Sequence, residues 1–137
     1  MIKWDDSMST GIDNIDAQHK ELIDNFDALL EAVAQGRGRE ETGEILDFLQ
    51  FYSQWHFERE EHYMAEYNCP AAEENIEAHN VFRDRFGQLY EQYQSSNVDM
   101  KIMADTVNEL TVWVLNHIIT VDAQLYPCVA DQDPDRY

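Results

Sequence analysis

Four histidines in this chain stand at positions where an apolar side chain would otherwise fall. His19 lies on the line of Ile23, Phe26, Leu30 and Val33, His56 continues Leu49 and Tyr52, His79 leads to Phe82 and Phe86, and His117 extends Leu110 and Val114. Glu60 follows His56 by four residues, on the same helical face, and Asp122 follows His117 by five. Leaving one buried polar group without a partner costs roughly 1–3 kcal/mol, so six of them would cost on the order of 10 kcal/mol. That rivals the whole stability of a domain, roughly 5–15 kcal/mol. Neutral imidazoles and carboxylates converging from several helices resolve the cost if they share metal ions. Nitrogen and oxygen donors without thiolate suit iron, manganese or zinc ahead of copper. Two carboxylates able to bridge suggest two ions, since two-metal sites hold them about 3.5–4 Å apart.

Such a cluster needs rigid elements that bring distant histidines together. Apolar residues recur at helical spacing in four segments, about 13–35, 40–67, 71–94 and 100–123. In the second, Ile45, Phe48, Leu49, Tyr52, Trp55 and Tyr63 make the apparent core stripe. Gly36 to Gly38 breaks the first from the second, Asn68 and Pro70 the second from the third, and the SSNVD segment at 95–99 supplies caps for the fourth. Pro70 is suited to the first turn of the third helix. No segment holds a period of two, so strands have no place. The expected fold is all-α: an antiparallel up-down four-helix bundle in a single domain over 1–137, with the first dozen residues, Trp4 among them, as an extended arm. Asp122 needs a π-turn or a bend to face inward, because five residues on a regular helix rotate a side chain about 140° away from His117.

The formal charge of −19, from 28 acidic against 9 basic residues, opposes binding to nucleic acid or to an anionic membrane surface. It is compatible with high solubility, with a salty environment or with a cationic protein partner, and composition does not choose among them. Cys69 and Cys128 form no C-x-x-C pair, so neither a disulfide framework nor a thiolate site is expected, and a cytoplasmic location is. No secretory leader or membrane-spanning run is evident.

The blocks WDDSMSTGIDNIDAQHKEL at 4–22, HFEREEHYM at 56–64, HNVF at 79–82 and WVLNHIITVD at 113–122 occur in an order that resembles the hemerythrin family, and more closely its single-domain bacterial members. The family's four-helix architecture is one the general rules for helix bundles already include. The resemblance implies a non-haem centre of two iron ions with a bridging oxygen, and dioxygen as its ligand, bound reversibly. It implies that His19 and His56 hold the iron with the open position, that His79 and His117 hold the other, and that Glu60 and Asp122 bridge. Leu22, Phe57, Trp113, Val114 and Ile118 match positions that wall the dioxygen pocket. Asn75 stands where the family has another histidine, four residues before His79. Three readings follow: a direct amide-oxygen ligand, a residue holding a water that ligates, or a position whose iron is loosely bound or absent.

The resemblance implies a carrier or store, and the short segment after the fourth helix favours these over a sensor. The alternative is a di-iron oxidase, peroxidase or nitric oxide scavenger enabled by Asn75. Iron storage or detoxification by a ferritin-like bundle fits poorly because no glutamate precedes any of the five histidines by three. His62 is expected on the surface, two residues past Glu60 and off its face, and so are Glu58 and Glu61, although Glu61 is close enough to Glu60 to stand behind the site.

Overall fold

The computed structural model describes residues 3–36, 39–95, 99–121, 124 and 127–128. Four helices follow one another: α1 (Asp13–Ala34), α2 (Arg39–Glu66), α3 (Ala72–Gln94) and α4 (Met100–Thr120). Each packs chiefly on two neighbours, α1 on α2 and α4, and α3 on the same two, which is the square cross-section of an up-down bundle. Among the described residues there is no strand, and no helix is long and apolar enough to cross a membrane.

Local chemistry sets the helix ends. α1 stops before Gly36, whose φ of 62° is open to glycine at little cost. α2 ends in a Schellman arrangement: Asn68 takes a φ of 52°, Cys69 N–H donates to the Met64 carbonyl at 2.9 Å, and Asn68 N–H donates to Ala65 at 3.4 Å. Pro70 therefore sits in the turn rather than in α3, which begins at Ala72 after Ala71. At α4, Asp99 accepts from the N–H groups of Lys101 and Ile102, as an N-cap should.

The N-terminal arm is bound by one buried carboxylate. Asp16 accepts from Ser9 Oγ at 2.6 Å and from Thr10 N–H and Oγ1, both at 2.8 Å. The arm contains a 3-10 turn at Asp6–Met8, and Lys20 lies 4.3 Å from the centre of the Trp4 ring.

Two apolar layers fill the interior. The larger contains Leu22, Phe26, Leu29, Leu46, Phe82 and Val107 among others. The smaller, at the other end, contains Ile12, Ile15, Tyr63, Met64, Cys69 and Ala71. Antiparallel neighbours run through these layers in opposite order. The chain therefore passes from small layer to large along α1 and α3, and back along α2, crossing the same intermediate level each time.

The buried face of α2 coincides only in part with the stripe expected from hydrophobicity, through Leu49 and Tyr63. Thr42, Leu46, Leu49, Ser53, His56, Glu60, Tyr63 and Met64 are buried, whereas Phe48 is 37% exposed and Tyr52 and Trp55 are half-buried. The face that carries Glu60 is rotated because buried polar residues define it, and hydrophobic periodicity passes over them. Phe48, Tyr52 and Trp55 instead pack ring on ring along the side of α2, with centroids 5.3 and 5.5 Å apart.

Cys69 and Cys128 are joined in a disulfide, against the expectation of two unpaired thiols. Their separation of 59 residues gave no local signal. They meet because the turn after α2 and the segment after α4 lie at the same end of the bundle. The bond also removes the argument from free cysteines for a reducing compartment.

Candidate metal centre

His19, His56, Glu60, Asn75, His79 and His117 all occupy the level between the two apolar layers, and each is buried. Glu60 is at its centre. Its Oε1 lies 3.1 Å from His56 Nε2 and 3.3 Å from His79 Nε2, and its Oε2 lies 3.5 Å from His19 Nε2. His117 Nε2 is 3.2 Å from His79 Nε2. Two groups of potential ligands result, one of His19, His56 and Glu60 and the other of Glu60, His79 and His117, with Glu60 common to both.

Outer hydrogen bonds settle which nitrogens face inward. His56 Nδ1 donates to Gln18 Oε1 at 2.6 Å, and His79 Nδ1 donates to Glu61 Oε2 at 2.8 Å. Each Nε2 of a neutral ring then presents a lone pair to Glu60. Glu60 is fully buried, and neither oxygen has a hydrogen bond of good geometry. Lone pairs gathered around a carboxylate repel unless a proton or a cation lies among them. That donor set, all nitrogen and carboxylate oxygen, fits non-haem iron. Burial alone would raise the Glu60 carboxyl, but wherever a proton rather than a cation sits among these groups, the positive charge it gives His56 and the contacts from His19, His56 and His79 outweigh burial and hold the carboxyl well below the ordinary glutamate range.

Asn75 is 0% exposed and one turn before His79 on α3. Its Nδ2 donates to Met64 Sδ at 3.3 Å, which leaves Oδ1 buried with no hydrogen-bond partner. Asp122 lies outside the described residues. The remaining expected ligands are brought together, and His62 is not among them: its ring is 59% exposed and faces Glu66 at 3.7 Å.

Leu22, Phe57, Trp113, Val114 and Ile118 line one cavity of about 10 Å³, with room for about one water-sized molecule. His19, His56 and His117 complete its wall on the side of the cluster, and Ser53 and Phe82 also contribute. Aromatic faces fix two of the imidazoles: Phe57 stacks on His79 with centroids 3.9 Å apart, and Trp113 stacks on His117 at 4.7 Å.

Three residues around the site escaped the sequence reading or were placed by it only in part. Gln18 had a usable signal, since it falls between Ile15 and Leu22 at helical spacing and is therefore an amide on a core-facing line. Glu61 was expected on the surface or, by its closeness to Glu60, behind the site; it is behind the site, against His79, with Arg83 Nη2 on the same oxygen at 2.9 Å. Burial pushes the Glu61 carboxyl up, but His79 and Arg83 outweigh it and keep the group below its usual value. Arg83 had no signal, because its partner is 22 residues away on another helix.

The hemerythrin HHE cation binding domain family matches residues 10–129. Bacteriohemerythrin of Stenotrophomonas maltophilia is 30% identical over 118 residues, covering 86% of this chain and 74% of that protein. Bacteriohemerythrin of Pseudomonas aeruginosa is 28% identical, covering 88% of this chain and 76% of its own length. The one from Clostridium acetobutylicum is 24% identical, covering 90% and 98%. With the four-helix fold and the buried histidine and glutamate cluster of this chain, these matches place it in the hemerythrin family, as a non-haem iron-binding domain.

Proposed function

We propose that the chain binds dioxygen reversibly at a centre of two iron ions, as a carrier or store. His19, His56 and Glu60 would hold one ion, and Glu60, His79 and His117 the other. Asp122 would supply a second bridging carboxylate, and an oxygen atom would complete the bridge. Iron, when bound there, supplies electrons to dioxygen on binding and recovers them on release.

The observation that carries this reading is the small apolar cavity against His19, His56 and His117. Its volume of about 10 Å³ suits a guest no larger than one small molecule. Leu22, Phe57, Val114 and Ile118 offer no acidic proton to a guest and disfavour water beside it, which favours release of an intact ligand over its further reduction. Gln18 and Glu61 hold the inward tautomers of His56 and His79, so the donor atoms need no rearrangement.

Iron per chain and the visible spectrum of the reduced protein test the proposal. About two irons per chain and an absorption band that forms in air and vanishes under argon are expected. Irreversible bleaching with turnover of added peroxide would overturn the carrier reading and support an oxidase, a peroxidase or a nitric oxide scavenger.

That second reading has its own support in Asn75, whose unpartnered Oδ1 is a weaker, neutral donor than an imidazole. It could ligate directly or hold a ligating water. Asn75→His is expected to raise iron retention and slow autoxidation. Unchanged metal content and autoxidation rate in that variant would place Asn75 outside the site's chemistry.

A further inference from the structure

His56 and His79 are matched across Glu60. Each turns Nε2 toward Glu60 Oε1, at 3.1 and 3.3 Å, and each gives its Nδ1 hydrogen to an acceptor behind the ring. The two acceptors differ in charge. Gln18 Oε1 is a neutral amide oxygen, whereas Glu61 Oε2 belongs to a carboxylate. A hydrogen bond to an ionised acceptor is about twice as strong as a neutral one. It also leaves more electron density on the opposite ring nitrogen, which makes the imidazole a better ligand.

Glu61 is held to this task from its exposed side. Arg83 Nη2 binds the same Oε2 that His79 uses, and Arg83 is itself fixed by Gln54 Oε1 at 2.7 Å and Asn80 Oδ1 at 2.8 Å. The carboxylate is 23% exposed, yet it is tied on both sides and cannot turn to solvent without breaking both contacts. Gln18 has no such charged support among the described residues, where its hydrogen bond is the one to His56.

We propose that Glu61 is a positioning residue that makes the His79 and His117 position the tighter of the two cation sites, offsetting the weaker donor at Asn75. The inference rests on the reading that the cluster holds two cations. The order of filling then follows from the outer partners: the first ion enters beside His79 and His117, the second beside His19 and His56.

The test is titration of the metal-free full chain with ferrous iron under argon, by equilibrium dialysis. Wild type is expected to bind in two steps. Glu61→Gln should weaken the tighter step by about 10–100-fold and leave the other step and the melting of the metal-free chain unchanged. Adding Asn75→His to Glu61→Gln should recover the lost affinity. Equal affinity of both ions in wild type, no change in Glu61→Gln, or equal weakening of both steps would each overturn the inference. Should the metal-free Glu61→Gln chain fail to fold, Gln18→Glu decides, because it is expected to tighten the weaker step and no tightening would overturn the proposal. Failure of wild type to bind ferrous iron at all would sink the two-cation reading itself, a result distinct from two-step binding that ignores Glu61.

Discussion

Glu60→Ala is expected to abolish retention of both ions, taking bound iron from about two per chain to near zero after desalting. Glu60 is the one residue common to both groups of potential ligands among the described residues, and its two oxygens reach imidazoles from α1, α2 and α3. Loss of His19 would remove a donor from one group, whereas loss of Glu60 removes the anion from both. Four neutral imidazoles would then face two dications with Asp122 as the one carboxylate left to the proposed site, too little to offset the mutual repulsion of the ions. The helices should survive, because the two apolar layers on either side of the cluster do not depend on Glu60. Iron analysis paired with far-ultraviolet circular dichroism separates these effects. Native helicity without iron is the expected result, and wild-type iron content would refute the shared-carboxylate arrangement. His62→Ala serves as the control, since its exposed ring predicts no loss of iron.

Breaking the Cys69–Cys128 disulfide, by Cys128→Ser or by reductant, is expected to cost about 2–4 kcal/mol of stability. The bond closes a loop with a sequence separation of 59 residues and so restricts the unfolded chain far more than the folded one. It also ties the turn between α2 and α3, which leads into Asn75 and His79, to the segment beyond α4. Urea unfolding of the metal-free chain with and without reductant reads the effect directly. The midpoint should fall on reduction in wild type and remain fixed in Cys128→Ser. Coincident curves for oxidised and reduced wild type would show that the disulfide contributes nothing to stability.

The helices were legible because their signals are local. Apolar residues at helical spacing, Gly36 at one break, Asn68 and Pro70 at another and Asp99 at a cap each act within a few residues of their position. The exceptions are instructive. On α2, hydrophobicity pointed to Ile45, Phe48, Leu49, Tyr52, Trp55 and Tyr63, of which Leu49 and Tyr63 are buried, but Phe48, Tyr52 and Trp55 give way to a face that carries Ser53, His56 and Glu60. A polar residue buried for its chemistry is invisible to a hydrophobic count, although the helix turns to bury it. The start of α3 shifted by a smaller amount, because the turn that accommodates Asn68 and Cys69 also takes up Pro70.

By itself, the sequence determined the bundle and the residues able to ligate. Helical period, caps and one polar residue at a fixed place on each apolar face are properties of single helices, and the cost of burying His19, His56, His79 and His117 without partners points to a shared purpose. Only the tertiary structure decided who meets whom. The sharing of Glu60 by three helices, the neutral partner of His56 against the charged partner of His79, the Asn75 amide nitrogen on Met64 and the bond between Cys69 and Cys128 all depend on distances between segments remote in sequence. Such distances follow from how four amphipathic helices rotate and slide to fill one core, a choice made by packing of the whole chain and by no segment alone.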